Sequence, residues 1–163
     1  MVTWSDLQTE APEIAELGAE RIAATGLVLV GTLRQDGWPR ISPVEPVITG
    51  GVLYLGMMWQ SRKALDLLRD ARCLVHTTVS AKDGTEGEVK LYGTAIAIED
   101  PDERERYGVA LYEAIGWRPE DDKFHLFALD IERAAAVRFG DGGQRVAHWR
   151  PGQPVTRFTK ATP

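Results

Sequence analysis

The residues of this chain best equipped for chemistry are Ser61, Arg62 and Lys63. A hydroxyl, a guanidinium and an ammonium follow one another just ahead of a helical pattern in which Ala64, Leu67, Leu68 and Ala71 share one face. The three therefore sit in or just before the first turn of a short helix. Two cations are out of place there, because unpaired backbone N–H groups already make a helix N-terminus positive. An anion removes the conflict: the N–H groups, the hydroxyl and both cations would converge on it, and a phosphate suits that set of donors. A solvated basic turn is the other reading of the same residues.

A second group lies on the segment Pro39–Ile48. Side chains alternate along a strand, so Arg40, Ser42 and Val44 share a face. Pro43 and Pro46 donate no ladder hydrogen bonds, which makes this an edge or irregular strand with backbone groups left to meet a ligand. Other chemistries find little support. Cys73 is the only cysteine, so there is no internal disulfide and no multi-cysteine metal site. His76, His125 and His148 lack a ligand spacing, and no metal is expected. Cys73, His76 and Asp66 form no nucleophile constellation by spacing, and no catalytic residue is assigned. Neither GxGxxG nor GxxxxGK[ST] occurs.

The formal net charge of -5 argues against general nucleic-acid binding, so any anion site must be local. No apolar run is long enough to span a bilayer, and no basic segment followed by an apolar one opens the chain. A cytoplasmic protein with no membrane or nucleic-acid partner is the expectation.

The elements that must position these residues follow in order. Residues 4–24 read as one amphipathic helix with a Ser5/Gln8 capping box, stopped at Thr25-Gly26. Leu27–Leu33 is an apolar strand expected to be covered on both faces, and Asp36-Gly37 turns it into the proline-bearing strand. A third strand, Val52–Met58, leads to the Ser61 helix. Strands at 72–79 and 88–98 come next, with Gly93 marking a bulge. Asp100, Pro101 and Glu103 open a helix running to Ile115. Phe124–Phe139, a Gly140–Gly143 turn and Arg145–Trp149 complete the strands. The pattern predicts a mainly β (α+β) fold, an antiparallel barrel of six to seven strands with flanking helices. It spans one domain, residues 1–150, before a loosely ordered polar tail at 151–163.

The run Trp38–Val44 (WPRISPV) behind a DG hairpin, a third strand, then Ser61–His76 (SRKALDLLRDARCLVH), resembles the pyridoxamine 5'-phosphate oxidase-like, FMN-binding split β-barrel superfamily. The likeness covers residues 10–139, and Phe127–Val137 (FALDIERAAAV) is similar to its closing strand. It implies a homodimer with FMN in a groove at the dimer interface. It implies that Ser61, Arg62 and Lys63 hold the phosphate, that Arg40 and Ser42 lie near phosphate or ring, that Met57 and Met58 pack by the ring, and that Lys90 meets its edge. The implied activity is a flavin-dependent oxidoreductase moving hydride or electrons to a small organic substrate. A deazaflavin coenzyme of the F-420 type is the alternative cofactor, since that branch of the superfamily uses similar basic residues. A non-catalytic flavin-binding or sensor protein is the alternative of a different class. The end of the chain, VAHWRPGQPVTRF, does not align with the substrate motif of the vitamin-forming oxidase, so pyridoxal phosphate production is not expected. His148-Trp149-Arg150 reads as a tail packed on the barrel or a lid over the substrate side.

Overall fold

Proline decides the first departure from these expectations. The computed structural model describes residues 1–121, 123–140 and 142–161. The expected N-terminal helix is two, α1 (Trp4–Glu10) and α2 (Pro12–Thr25). Pro12 cannot donate into a continuing helix, so it opens a new one at its first position. The capping box is formed by Thr3 and Asp6 instead of Ser5 and Gln8: the Asp6 N–H donates to Thr3 Oγ1 at 3.3 Å, and Thr3 N–H donates to Asp6 Oδ2 at 2.7 Å. Gly26, with φ of 68°, ends α2 as expected.

The strands are β1 (Val28–Leu33), β2 (Pro39–Val44), β3 (Pro46–Thr49), β4 (Val52–Met58), β5 (Arg72–Thr77), β6 (Glu88–Ala97), β7 (Phe124–Gly140), β8 (Gly143–Trp149) and β9 (Thr156–Ala161). The helix α3 (Arg62–Arg69) lies between β4 and β5, and α4 (Pro101–Ile115) between β6 and β7. All pairings are antiparallel, in the order β2-β1-β5-β6-β7-β4-β3. The two ends of this path, β2 and β3, are consecutive in the chain and separated only by Glu45. A sheet whose first and last strands are halves of one segment must curl round on itself, which makes the α+β split barrel. The expected irregularity of the proline-bearing strand is this break, and each half sits at an edge where a missing donor costs least.

Beyond the barrel, β8 pairs β7 and β9 pairs β8. The C-terminal segment, expected as a loose tail, therefore contributes a strand, although every β9 residue is exposed. Asp141 of the expected turn and Thr162 and Pro163 of the tail lie outside the described residues. Among the described residues no helix is long and apolar enough to cross a membrane.

The seventeen residues of β7 pair with β4, β6 and β8 in turn. Gly93 lets β6 and β7 approach: a Cβ there would lie 2.0 Å from the Asp130 carbonyl oxygen, and the register slips between Tyr92 and Gly93, the bulge that glycine marked. Leu53, Leu55, Phe127, Leu129 and Ile131 fill the barrel with Trp4, Leu7 and Ile14 of the N-terminal helices. Tyr54, Leu126 and Ala128, on the opposite faces of β4 and β7, join Tyr107 and Leu111 under α4. The expectation for β1 was too generous. Val28, Val30 and Thr32 are buried, but Leu29, Gly31 and Leu33 on the other face are only half-buried, and Ile41 beside them in β2 is 71% exposed.

Candidate functional site

The site is built where β4 runs into α3. The turn Trp59-Gln60 connects them, and Gln60 is the one non-glycine residue with a left-handed φ, 56°, among the described residues. Its N–H donates to His125 Nε2 at 3.2 Å, and the His125 ring stacks on Trp59 at 4.6 Å between centroids. The Ser61 N–H donates back to the Met58 carbonyl at 3.1 Å. These contacts over-determine a strained turn, and the turn delivers Ser61 as the N-cap of α3.

Ser61 does not behave as a cap. Its hydroxyl makes no capping bond, and Oγ is buried without a hydrogen-bond partner among the described residues. A buried hydroxyl left unpaired is costly, and serine at an N-cap ordinarily accepts an N–H. The first turn holds no acid, only Arg62 and Lys63. Arg62 is exposed and forms no hydrogen bond or ion pair with the described residues. Lys63 Nζ donates to the Pro43 carbonyl at 3.1 Å, tying α3 to β2.

Arg40 reaches the same place from β2. Its Nε donates to Asp66 Oδ2 at 2.7 Å, and the Thr32 hydroxyl donates to the same oxygen at 3.0 Å. Arg69 Nη1 donates to Asp66 Oδ1 at 3.4 Å and its Nη2 to the Leu33 carbonyl. Burial works to raise the Asp66 carboxyl, but the Arg40 guanidinium, the Thr32 hydroxyl and Arg69 together hold it below the ordinary range. Asp66 is thus an internal counter-ion that aims Arg40. Around them opens a cleft of about 700 Å³ lined by Arg34, Arg40, Arg62 and Arg69, with Asp36 and Asp66 the acids. Arg34 and Asp36 pair at 3.0 Å, and the remaining cations outnumber the remaining acid, so the cleft carries positive charge on an acidic protein.

The sequence-chosen residues separate into groups. Arg40 and Arg62 line the same cleft, whereas Lys63 is tied to the Pro43 carbonyl and Ser61 is the N-cap of α3, and neither lines it. Ser42 shares Arg40's face, one pair further along β2, opposite Val30. Met57 and Met58 alternate: Met57 is buried in the core and Met58 is 80% exposed, and both line a different cleft, with Trp59 and Tyr107. Lys90 lies on the outer sheet face, ion-paired to Glu88. It is in register with Pro43 through Leu29 and His76. Three strand spacings, about 14 Å, separate that row's ends. Leu68, expected on the buried helix face, is 51% exposed, and Asp66 takes the inward place beside Ala64 and Leu67.

Asp66, Thr32, Arg34, Arg69 and His125 were not singled out as site residues. An aspartate between two apolar helix positions was the available signal for Asp66. The others depend on β1, β2, β7 and α3 meeting, which no local pattern carries. Burial first, then the Glu132 charge, pushes the Cys73 thiol up to about 12, so it is no nucleophile at neutral pH. Among the described residues no group of three His, Cys, Asp or Glu could hold a metal ion.

Comparison with known proteins gives this geometry a family. No curated protein matches the sequence. Similar solved structures include a conserved hypothetical protein of Mycobacterium tuberculosis, with a TM-score of 0.64 at 22% identity over 76% of this chain and 81% of the other. PhzG of Burkholderia lata, solved with tetrahydrophenazine-1-carboxylic acid, gives 0.64 at 11% identity over 96% and 92%. The heme binding protein of Mycobacterium smegmatis gives 0.60 at 19% identity over 86% of this chain but 56% of that one. At such identities the likeness is one of fold. The family described as pyridoxamine 5'-phosphate oxidase matches residues 14–138, three quarters of the sequence and all of the arginine-lined cleft. The chain belongs to the pyridoxamine 5'-phosphate oxidase family.

Proposed function

We propose that this protein binds a flavin-type cofactor through its phosphate and works as an oxidoreductase on a small organic substrate. The carrying observation is Ser61 Oγ, buried and unpartnered among the described residues at a helix start that holds two cations and no acid. A phosphate oxygen there would satisfy the hydroxyl, the first-turn N–H groups, Arg62 and the free end of Arg40. Lys63, held by the Pro43 carbonyl, adds charge from the β2 side. When bound, a flavin or deazaflavin supplies the hydride chemistry, and this chain's residues anchor and orient it. FMN and a deazaflavin of the F-420 type each carry a phosphate group that these residues could hold. The half-covered outer face of β1 and β2, with Ile41 exposed on it, fits a homodimer in which a second copy covers it.

The test is a spectral titration with FMN, with the deazaflavin and with hemin, the last because a fold relative is named for binding heme. We expect FMN or the deazaflavin to bind. Arg62→Ala and Lys63→Ala should each weaken binding about tenfold, the loss of one charge-assisted contact. Saturation by hemin alone, or unchanged affinity in both variants, would reject the assignment. Turnover of the bound cofactor with a reduced nicotinamide donor separates an enzyme from a sensor.

A further inference from the structure

A second cleft, also about 700 Å³, is lined by Met57, Met58 and Trp59, just before the Arg62 of the arginine-lined one, and has the opposite character. The two share no lining residue but are linked through the chain. Glu45, on its rim, lies two residues from Pro43, whose carbonyl holds Lys63, and Met58, in its wall, accepts the Ser61 N–H. Its walls are flat and apolar. Trp59 is 53% exposed, Trp117 59% and Met58 80%, large exposures for side chains that gain most from burial. At the floor stands Tyr107, 3% exposed, with its hydroxyl seated against Gly56, where a Cβ would come within 2.0 Å of it. That hydroxyl has no hydrogen-bond partner among the described residues. Burial, then the Glu45 charge, pushes the phenol up to about 12, so at neutral pH it remains a donor.

The charges are one-sided. Glu45, Glu120 and Asp121 line the cleft against Lys123 alone among the described residues. Glu45 makes no hydrogen bond or ion pair with them. A phosphate or carboxylate entering here would meet a net negative rim with no arginine to receive it. A flat ring would stack between indole and thioether, offer an acceptor to Tyr107, and gain from Glu45 if positively charged.

We propose that this cleft is the substrate subsite and takes a planar aromatic molecule, neutral or cationic, bearing a hydrogen-bond acceptor, and that it excludes phosphate esters. Calling the ligand a substrate rests on the cofactor reading, whereas the selectivity of the cleft does not. Glu45 is the specificity-determining residue: it sorts ligands by charge while the aromatic walls hold any flat ring.

The experiment is calorimetric titration of the full chain, in phosphate buffer that competes for the arginine-lined cleft, with three probes of one shape: 1-naphthylmethylammonium, 1-naphthalenemethanol and 1-naphthyl phosphate. The ammonium and the alcohol should bind, and the phosphate at least tenfold more weakly than the ammonium. Trp117→Ala should weaken the ammonium and the alcohol alike. Glu45→Gln, at an exposed position, should cut the preference for ammonium over alcohol about fivefold, the size of one partly screened ion pair. Equal or tighter binding of the phosphate, no binding of any probe, or an ammonium-to-alcohol ratio unmoved by Glu45→Gln overturns the proposal. Failure of the cofactor reading shows separately, in the FMN and deazaflavin titrations of the Arg62 and Lys63 variants.

Discussion

At the residue scale two side chains carry opposite kinds of evidence. Ser61 has a hydroxyl that contributes nothing visible to the fold. Ser61→Ala should therefore leave the melting temperature unchanged or raise it while weakening FMN binding about tenfold, which a melt and a titration on the same sample would read. Asp66 is the reverse, since its carboxylate gathers Arg40, Arg69 and Thr32. Asp66→Asn should destabilise by about 2 kcal/mol in urea unfolding, because a partly buried arginine loses its charged acceptor. The sign with pH follows from its lowered folded value. Its contribution is complete above the unfolded carboxyl's range and disappears as pH falls through the lower folded value. The wild type should lose stability on acidification more steeply than Asp66→Asn does.

At the scale of elements, the site depends on two strands being broken in specific ways. Pro43 and Pro46 flank the break that separates β2 from β3, and Lys63 ties α3 to the carbonyl beside it. Gly93 bends β6 against β7, where the backbone of Asp130 occupies the space a side chain would need. Gly93→Ala should cost about 3 kcal/mol in urea unfolding, because neither strand can yield as a flexible side chain would. A cost near zero would mean that the bulge migrates. The Trp59-Gln60 turn works similarly on a smaller scale. His125, two strands away in sequence terms, holds Gln60 in its left-handed conformation by one hydrogen bond and one stacked ring.

At the scale of the whole molecule, one short segment lines two unlike clefts, an acidic aromatic one through Met57, Met58 and Trp59 and a basic one through Arg62. It also leaves Ile41 uncovered on the outer face of the barrel. Should that face be where two copies meet, Ile41→Lys should turn the dimer into a monomer in sedimentation velocity and weaken FMN retention at the same time. A variant that remains dimeric would place the interface elsewhere.

The sequence by itself determined what local chemistry decides. Asp100 and Pro101 set where α4 starts and Gly26 where α2 ends, Gly93 marked its bulge, and Ser61, Arg62 and Lys63 fell at the start of α3, because capping, turn geometry and helix periodicity act over a few residues. The split of the first helix at Pro12 followed the same local rules, although the capping box at Thr3 competed with an equally plausible one at Ser5. Only the tertiary structure decided that Asp66 turns inward to hold Arg40, that Met57 and Met58 belong to a different cleft, and that the C-terminal segment adds β9. Arg40 and Asp66 are 26 residues apart, and β9 is a strand whose every residue is exposed and so bears no hydrophobic signature. Pairing over such distances is settled by how the barrel closes, and closure follows from β2 and β3 being two halves of one segment at opposite ends of the sheet.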